Sequence, residues 1–253
     1  METESLCVAY GRERVLRGID LRAAPGTVTA LIGPNGSGKS TLLRAIAGLV
    51  PSTGGIRRPS GRIGYLPQDG NARAVLTVLE VVLLGRLHTL GLAVGRADIE
   101  AAAEVLHDLG LEHLGDRHLG EISGGQRQMV YLAQVVAAAP TALLLDEPTS
   151  ALDLRNQMDM LDQVRRLTRA RNLATIVAIH DLNAAARFAD QVVALDRGRL
   201  VAAGTPADVL TAALLAQVYR IEALVVAGAD GLPSIAPLRA HPSFPRTMKE
   251  SRP

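Results

Sequence analysis

Cysteine, aromatic residues and long apolar runs are scarce in this 253-residue chain, which has one cysteine, four tyrosines, two phenylalanines and no tryptophan. The single cysteine, Cys7, excludes an intrachain disulfide, and we expect a small, partly buried side chain in a reduced compartment. The longest apolar stretch, MVYLAQVVAAAPTALLLD, is broken by Gln134, Pro140 and Asp146, so no segment predicts a membrane span. The N-terminal stretch METESLCVAYGRERV lacks the basic and apolar regions of a signal peptide.

Charge of one sign is also lacking, because the formal net charge is +2 and the arginines are spread without runs. This distribution gives no extended basic surface, so we expect no nucleic-acid partner. Two of the 27 basic residues are lysines, Lys39 and Lys249. Lys39 lies in a glycine-rich loop, where a compact ammonium is required and a planar guanidinium would not substitute for it.

Hydrophobic periodicity predicts an α/β chain with a helical insert. Short strands precede residue 33, and the last of them, VTALI, is a continuous apolar run typical of a strand buried on both faces. A turn-rich piece over residues 51–62 leads to the strand IGYLPQ. Helical spacing dominates residues 76–139, with Asp98 or an adjacent residue as a cap, and strands return at 142–147, 174–180 and 191–204.

The sequence GPNGSGKST, residues 33–41, matches the phosphate-loop pattern of a glycine, four variable residues, and Gly-Lys-Ser/Thr. It lies between a buried strand and a helix, so its backbone N–H groups can surround a phosphate. Lys39 would then bridge the β- and γ-phosphates of a nucleotide, and the Ser40 hydroxyl would bind Mg²⁺. We therefore expect a nucleoside triphosphate site here.

Polar side chains follow three other predicted strands. Asp146 and Glu147 end ALLLDE at the edge of a parallel sheet where ligands bind; Asp146 would hold Mg²⁺ through its water shell, and Glu147 would act as general base on a water. His180 ends the next strand, where it can donate to the γ-phosphate. Gln68 follows IGYLP, and its amide can reach Mg²⁺ or the attacking water. Each is weak evidence alone and becomes informative beside the phosphate loop.

Two further features complete the pattern. Tyr10 precedes the loop in a chain that is 2% aromatic, so its ring is a candidate for adenine stacking, with core packing as the plainer alternative. ISGGQ places Ser123, Gly124 and Gly125 at a second helix start, which is again a potential anion site.

Together these motifs resemble those of the ATP-binding subunits of ABC transporters, over residues 5 to 220 approximately. In the order of that family, the A-loop is Tyr10, and Walker A is Gly33, Pro34, Asn35, Gly36, Ser37, Gly38, Lys39, Ser40 and Thr41. The Q-loop residue is Gln68, and the signature is Ser123, Gly124, Gly125 and Gln126. Walker B ends in Asp146 and is followed by Glu147, the D-loop is Ser150, Ala151, Leu152 and Asp153, and the H-loop residue is His180. Ile122 stands where the family most often has leucine.

The resemblance implies a P-loop NTPase core of the RecA-like kind, with a mostly parallel sheet, N-terminal antiparallel strands and an inserted helical subdomain. We predict core parts at residues 1–75 and 140–220, the subdomain at 76–139, a hairpin around Asp230–Gly231 at 221–238, and a disordered tail at 239–253. The resemblance also implies an ATPase that uses Mg²⁺ and forms a head-to-tail, ATP-dependent homodimer. The signature residues of one copy would cap the γ-phosphate held by the other copy's Lys39.

The same resemblance implies a peripheral protein on the cytoplasmic face of the membrane that drives separate permease subunits and, indirectly, a solute-binding protein. The permease would dock in a cleft between residues 69–76 and the helix holding 81–90, with Gln68 as a hinge. Segments such as VAIHDLNAAARFAD are similar to subunits of iron-siderophore, heme and cobalamin importers. The segment from Pro51 to Gly64 is short, however, as in zinc and manganese importer subunits, and that alternative stays open.

Two other classes compete with a transporter subunit. A non-transport ABC ATPase of DNA repair, structural maintenance or translation would carry coiled-coil, zinc-finger or paired ATPase insertions, which the sequence does not show. A monomeric small-molecule kinase would have no use for ISGGQ or SALD.

Overall fold

The computed structural model describes residues 1–68, 75–87, 94–228 and 231–240. Its strands, numbered in chain order, are β1 (Glu2–Tyr10), β2 (Glu13–Arg22), β3 (Thr27–Ile32), β4 (Thr53–Arg57), β5 (Ile63–Leu66), β6 (Ala142–Asp146), β7 (Ala174–Ala178), β8 (Gln191–Asp196), β9 (Arg199–Gly204), β10 (Ile221–Ala227) and β11 (Pro233–Ala240). Its helices are α1 (Lys39–Ala47), α2 (Val78–Leu84), α3 (Arg96–Asp108), α4 (Gly124–Ala137), α5 (Leu154–Ala170), α6 (Leu182–Phe188), α7 (Pro206–Val209) and α8 (Ala212–Tyr219).

The main sheet has the strand order β5-β6-β7-β3-β8-β9. Every neighbouring pair is parallel except β8–β9, which is an antiparallel hairpin at one edge. The prediction of a mostly parallel α/β core is confirmed. Because β6, β7 and β3 are adjacent and parallel, the loops that follow them emerge at one edge of the sheet, where ligands bind in such folds.

Two clusters of buried side chains cover the two faces of the sheet. Successive residues of β3 belong alternately to the two clusters: Leu31 belongs to one, and Ala30 and Ile32 belong to the other. The Leu31 cluster contains the N-terminal strands and α1, while the opposite cluster contains α2 to α6 and the C-terminal helices. Burial on both faces explains why residues 28–32 are apolar apart from Thr29, which is itself fully buried.

The N-terminal strands form a separate antiparallel sheet in the order β2-β1-β4. We predict only turns for residues 51–62, and that prediction is wrong over β4. Residues Thr53–Arg57 pair with β1 from Cys7 back to Glu2. Two glycines, Gly54 and Gly55, make this segment look like a turn, but the open edge of β1 supplies the hydrogen bonds that give it a strand.

Helices α2, α3 and α4 form the helical insert between β5 and β6. Thr77 caps α2 in a reciprocal arrangement with Glu80. At the start of α3 the cap is Gly95, and the Asp98 carboxylate accepts a hydrogen bond from the Gly95 N–H, so Asp98 supports the cap from three residues further on. Among the described residues, no helix is both long and apolar enough to cross a bilayer.

The C-terminal elements differ from the predictions in detail. Residues 191–204 form the β8–β9 hairpin with its turn at Arg197–Gly198, and the predicted last helix is divided into α7 and α8, because Thr211 caps a new helix there. β10 and β11 form the predicted hairpin, which continues to Ala240, two residues beyond its predicted end. Asp230 of its turn and residues 241–253 of the predicted tail lie outside the described residues.

Gly198, in the β8–β9 turn, packs closely against the backbone of Val15, and this contact can be tested by substitution. Gly198 has φ +74°, its N–H donates to the Ser37 carbonyl at 3.0 Å, and a Cβ added to it would overlap the carbonyl of Val15. Gly18 has φ +73° with open space around it. We expect Gly18→Ala to lower the free energy of unfolding by about 1–2 kcal/mol, the cost of the left-handed backbone. Gly198→Ala should cost about 1–3 kcal/mol more, through overpacking.

Urea denaturation of the two variants checks this comparison. Equal losses for Gly198→Ala and Gly18→Ala would contradict the close contact between the β8–β9 turn and Val15.

Candidate functional site

The phosphate loop leads into a helix whose N-terminus is open. α1 begins at Lys39 after Gly38, which has φ +106° and no side chain to cap the helix. The first N–H groups of a helix have no partners within it, and they favour an anion there. A cavity of about 500 Å³ lies at this point, lined by Val15, Asn35, Gly36, Gly38, Lys39, Ser40, Thr41, Gln68, Glu147 and His180.

The ammonium of Lys39 is buried within the loop. Its Nζ donates to the Gly33 carbonyl at 2.8 Å and to the Pro34 carbonyl at 3.4 Å, and it lies 3.9 Å from Glu147 Oε1. Burial lowers the pKa of Lys39, although the charges of Glu147 and Asp146 act in the opposite direction. An anion bound in the cavity would therefore stabilise the charged form of the desolvated Lys39 ammonium.

Asp146, at the end of β6, is fully buried and accepts two side-chain hydrogen bonds. Ser40 Oγ donates to one carboxylate oxygen at 2.9 Å, and Tyr65 Oη donates to the other at 3.2 Å. Burial raises the pKa of Asp146, and these two hydrogen bonds partly offset the rise. The structure thus brings together Ser40 and Asp146, both predicted from sequence as Mg²⁺ residues.

Tyr65 and Arg44 belong to the site but were not predicted. Arg44 Nε donates to Tyr65 Oη at 3.3 Å, so the phenol connects the guanidinium to the Asp146 carboxylate. The feature of the sequence that could have indicated Tyr65 is the rarity of tyrosine in this chain, together with its position three residues before Gln68. Its significance depends on the pairing of β5 with β6, which the sequence does not reveal.

Glu147 is held by two of the residues predicted to act with it. His180 Nε2 lies 2.5 Å from Oε1, and Gln68 Nε2 donates to Oε2 at 2.8 Å. The backbone of Glu147 has φ +51°, a left-handed conformation that costs a non-glycine residue on the order of 1–3 kcal/mol and is found at functional sites. The ends of β5, β6 and β7 therefore converge on one carboxylate.

The signature residues Ser123, Gly124, Gly125 and Gln126 do not line this cavity. Ser123 caps α4: its hydroxyl accepts from Gln126 N–H at 3.2 Å, and Gln126 Oε1 accepts from Ser123 N–H at 3.0 Å. Gly125 approaches Asn156 so closely that an added Cβ would lie 2.7 Å from its amide carbon. The second helix start is thus capped by its own residues, unlike the start of α1.

The predicted D-loop, Ser150–Asp153, precedes α5 and also lies outside the cavity lining. Asp153 caps α5 by accepting from Asn156 N–H at 2.8 Å and from Asn156 Nδ2 at 2.9 Å. Asn156 therefore contacts both the D-loop and the signature helix.

Three other residues predicted to bind nucleotide, Tyr10, Pro34 and Ser37, do not line this cavity. Tyr10, at the end of β1, is 48% exposed, which leaves its ring accessible. Pro34 and Ser37 line a smaller cavity of about 300 Å³ together with Asn35, Gly36 and Tyr219. Of the predicted docking cleft, residues 69–74 and 88–90 lie outside the described residues.

An apolar groove of about 440 Å³ lies between β5 and the helical insert. Residues 63–67, Gly85, Tyr131, Gln134, Val135 and Ala138 line it. The groove therefore runs from the segment before Gln68 to one face of α4.

Comparison with known proteins agrees with these motifs. Residues 16–150 match the model of the ABC transporter family. The chain is 39% identical to the hemin import ATP-binding protein of Rhodopseudomonas palustris (strain BisB18), over 94% of each chain. It is 35% identical to the ferric enterobactin transport ATP-binding protein of Escherichia coli (strain K12), over 95% of each chain.

Solved structures show the same fold. One chain of a metal-chelate type ABC transporter in an inward-facing conformation superposes with a TM-score of 0.85 at 29% identity, covering 94% of this chain and 96% of that one. An ATP-binding cassette of an ABC transporter in its ADP conformation gives a TM-score of 0.77 at 25% identity, covering 86% and 97%.

The buried carboxylate of Asp146 generates a pH-dependent prediction for the ligand-free protein. A raised pKa means that the protonated form contributes stability below the ordinary value of 3.8, and that this contribution is lost as pH rises through the folded-state pKa. Asp146→Asn removes the charge, so we expect its free energy of unfolding to exceed that of the wild type near neutral pH. The difference should shrink as the pH falls towards 3.8.

Urea denaturation across about pH 4–8, without nucleotide or Mg²⁺, measures this difference. Asp162→Asn, at an exposed position of α5, is the control for removing one carboxylate charge. A stability difference for Asp146→Asn that is independent of pH would contradict the expected destabilisation by the buried charge.

Proposed function

The chain belongs to the ABC transporter family of ATP-binding proteins, and on that basis we propose that it hydrolyses ATP to drive uptake through a separate membrane permease. The observation that carries the proposal is the convergence of Gln68, His180 and Lys39 on Glu147, beside an uncapped helix start. A general base at the γ-phosphate end of a phosphate loop is the arrangement that nucleotide hydrolysis requires.

The phosphates would bind at the start of α1. Its N–H groups and Lys39 would contact the β- and γ-phosphates, and Tyr10 would stack on the adenine. Residues 33–41 would supply the loop around the phosphates, with backbone N–H groups as the donors.

Ser40 and Asp146 fit a Mg²⁺ ion. Their oxygens lie 2.9 Å apart, and hydroxyl, carboxylate and amide oxygens are the ligands that Mg²⁺ prefers when substrate phosphates complete its shell. Gln68 would contribute its amide oxygen. The bound ion would neutralise charge on the phosphates during transfer.

For hydrolysis, Glu147 would accept a proton from the attacking water. Both of its carboxylate oxygens are engaged in this structure, by His180 and by Gln68. Each carboxylate oxygen keeps a second lone pair, and opening of either contact would leave more room for a water at Glu147. A γ-phosphate offers His180 an alternative acceptor, so substrate binding would free the base at the moment when it is needed.

The signature residues would act on a second copy of the chain. Ser123–Gln126 lie outside the cavity lined by Lys39 and Glu147 of their own chain, although they form a second glycine-rich helix start. In a head-to-tail homodimer they would cap the γ-phosphate bound by the partner, with the D-loop Ser150–Asp153 alongside. ATP would then join the two copies, and its hydrolysis would let them separate.

The permease would dock in the cleft between residues 69–76 and the helix holding residues 81–90, on the cytoplasmic face of the membrane, and would extend to the apolar groove between β5 and α4, which Gly85 lines. The groove begins beside Gln68, so a partner seated there would sense movement of the residue that contacts Glu147. A solute-binding protein would deliver the solute on the other side of the membrane.

For the solute, we propose the iron-siderophore, heme or cobalamin class. Relatives named for hemin and ferric enterobactin import align with this chain over nearly its whole length. The short segment from Pro51 to Gly64, which suggests the zinc and manganese class, folds into β4 on the edge of β1 and does not outweigh that similarity.

Substitution of the proposed base tests the chemistry and the dimer together. Glu147→Gln should lower ATP hydrolysis by about 10²–10⁴-fold while nucleotide still binds. With ATP it should elute from a sizing column as a dimer. Adding Ser123→Arg to this variant should leave nucleotide binding intact and abolish the dimer, whereas adding Lys39→Ala should abolish binding itself.

Wild-type hydrolysis by Glu147→Gln would remove Glu147 from the role of base. A dimer that survives Ser123→Arg would remove the signature residues from the composite site.

Growth of the source cells tests the solute class. Replacing the gene by its Glu147→Gln form should abolish growth when hemin, a ferric siderophore or cobalamin is the limiting nutrient, in one of those three conditions at least. Growth limited by zinc or manganese should match that of the wild type. Loss of growth under zinc or manganese limitation alone would assign the protein to the alternative class.

A further inference from the structure

The C-terminal hairpin β10–β11 is bonded to α6 through one side chain, Asn183. Its Nδ2 donates to the Ile235 carbonyl at 3.1 Å, and its Oδ1 accepts from the Ile235 N–H at 2.8 Å. The amide thus pairs with the backbone of β11 as a neighbouring strand would. Ile235 is 5% exposed and belongs to the larger buried cluster, so this contact joins the hairpin to the core.

The same asparagine is bonded to the residue that follows His180. Asp181 caps α6, and its Oδ1 accepts from the Asn183 N–H at 2.8 Å and from the Ala184 N–H at 3.1 Å. A short chain of hydrogen bonds therefore runs from β11 through Asn183 to Asp181. The next residue back, His180, contacts Glu147 at 2.5 Å.

The first turn of α6 is held by its own cap, Asp181, and by the contact of Asn183 with β11. The helix has seven residues, fewer than an isolated helix requires, and the His180 side chain before it is 43% exposed. Its buried residues are Ala184, Ala185, Ala186 and, at its last position, Phe188, so the buried side chains nearest its start are methyl groups that cover little area. A two-point hydrogen bond to a buried backbone fixes direction as well as position, which small apolar contacts do not.

The same C-terminal segment also reaches the phosphate loop. Tyr219, two residues before β10, lines the cavity of about 300 Å³ together with residues 34–37 of that loop. Burial raises the pKa of Tyr219 to about 12, so the phenol stays neutral beside the loop. Tyr219 therefore lies beside the loop that holds Lys39, and β11 contacts the helix that follows His180.

We propose that Asn183 is a positioning residue for hydrolysis, through which the C-terminal hairpin holds α6 and keeps His180 in reach of Glu147 and the γ-phosphate. The inference rests on the proposed role of His180. It gives the hairpin a function in the ATPase reaction beyond covering the core.

Steady-state hydrolysis by the full-length protein tests this. Asn183→Ala should lower kcat by about 10–100-fold, the range expected when a catalytic group is displaced slightly, with the affinity for ATP unchanged within about twofold. Asn183→Asp keeps the acceptor for the Ile235 N–H but sets a carboxylate oxygen against the Ile235 carbonyl, so we expect it to recover only part of the kcat lost in Asn183→Ala. If Asn183→Ala does not fold, a lower kcat for Asn183→Asp than for wild type at unchanged ATP affinity supports the proposal, and a wild-type kcat overturns it.

Thr205→Ala is the control for a purely structural effect. Thr205 caps α7 through the Asp208 N–H, in the same half of the chain and away from the cavity lining. It should lower the melting temperature without changing kcat. If Asn183→Ala also lowers only the melting temperature, the hairpin contact is structural and the proposal is overturned.

A double-variant cycle distinguishes this inference from the proposed function. In a His180→Ala background, Asn183→Ala should lower kcat no further, because the two residues act as one unit. Independent, multiplicative losses would show that Asn183 acts elsewhere and would overturn the positioning role. A His180→Ala protein with wild-type kcat would instead overturn the proposed role of His180 itself.

Discussion

Parallel hydrogen bonding among β6, β7 and β3 is the constraint on which the rest of this structure depends. β7 lies between the other two strands, in register with both. Lys39, Glu147 and His180 follow three different strands and are more than 30 residues apart in sequence, as their numbers show. They meet because the three carboxyl ends reach the same edge of the sheet.

The site assembled at that edge is costly to the fold. Lys39 and Asp146 are charged groups with little access to solvent, and burial shifts the pKa of each towards its neutral form. Glu147 adds a left-handed backbone. Such unfavourable free energies are typical of functional sites, where the charge of a bound ligand stabilises the buried charged groups. A nucleotide with Mg²⁺ carries both signs of charge needed to do so.

The two glycine-rich helix starts have different local environments, although both read as anion sites in the sequence. Gly38 leaves the start of α1 open and within the cavity, whereas Ser123 and Gln126 cap α4 by bonding to each other. In a monomer, the second start therefore has no evident ligand. A dimer in which each α4 faces the partner's phosphate loop gives both starts a use, which is why one chain would carry two.

The sequence by itself determined the local chemistry. The spacing in GPNGSGKST, the apolar run before Asp146, and the helical periodicity of residues 76–139 depend on neighbours within a few turns, so they can be read directly. It did not reveal β4, whose glycines suggest turns until the edge of β1 supplies a partner.

Only the tertiary structure decided which distant residues support the site. Tyr65 reaches Asp146 across 81 residues, and Asn183 reaches Ile235 across 52. The physical reason is that strand order and hairpin packing depend on contacts between segments far apart in the chain, and no local pattern specifies them.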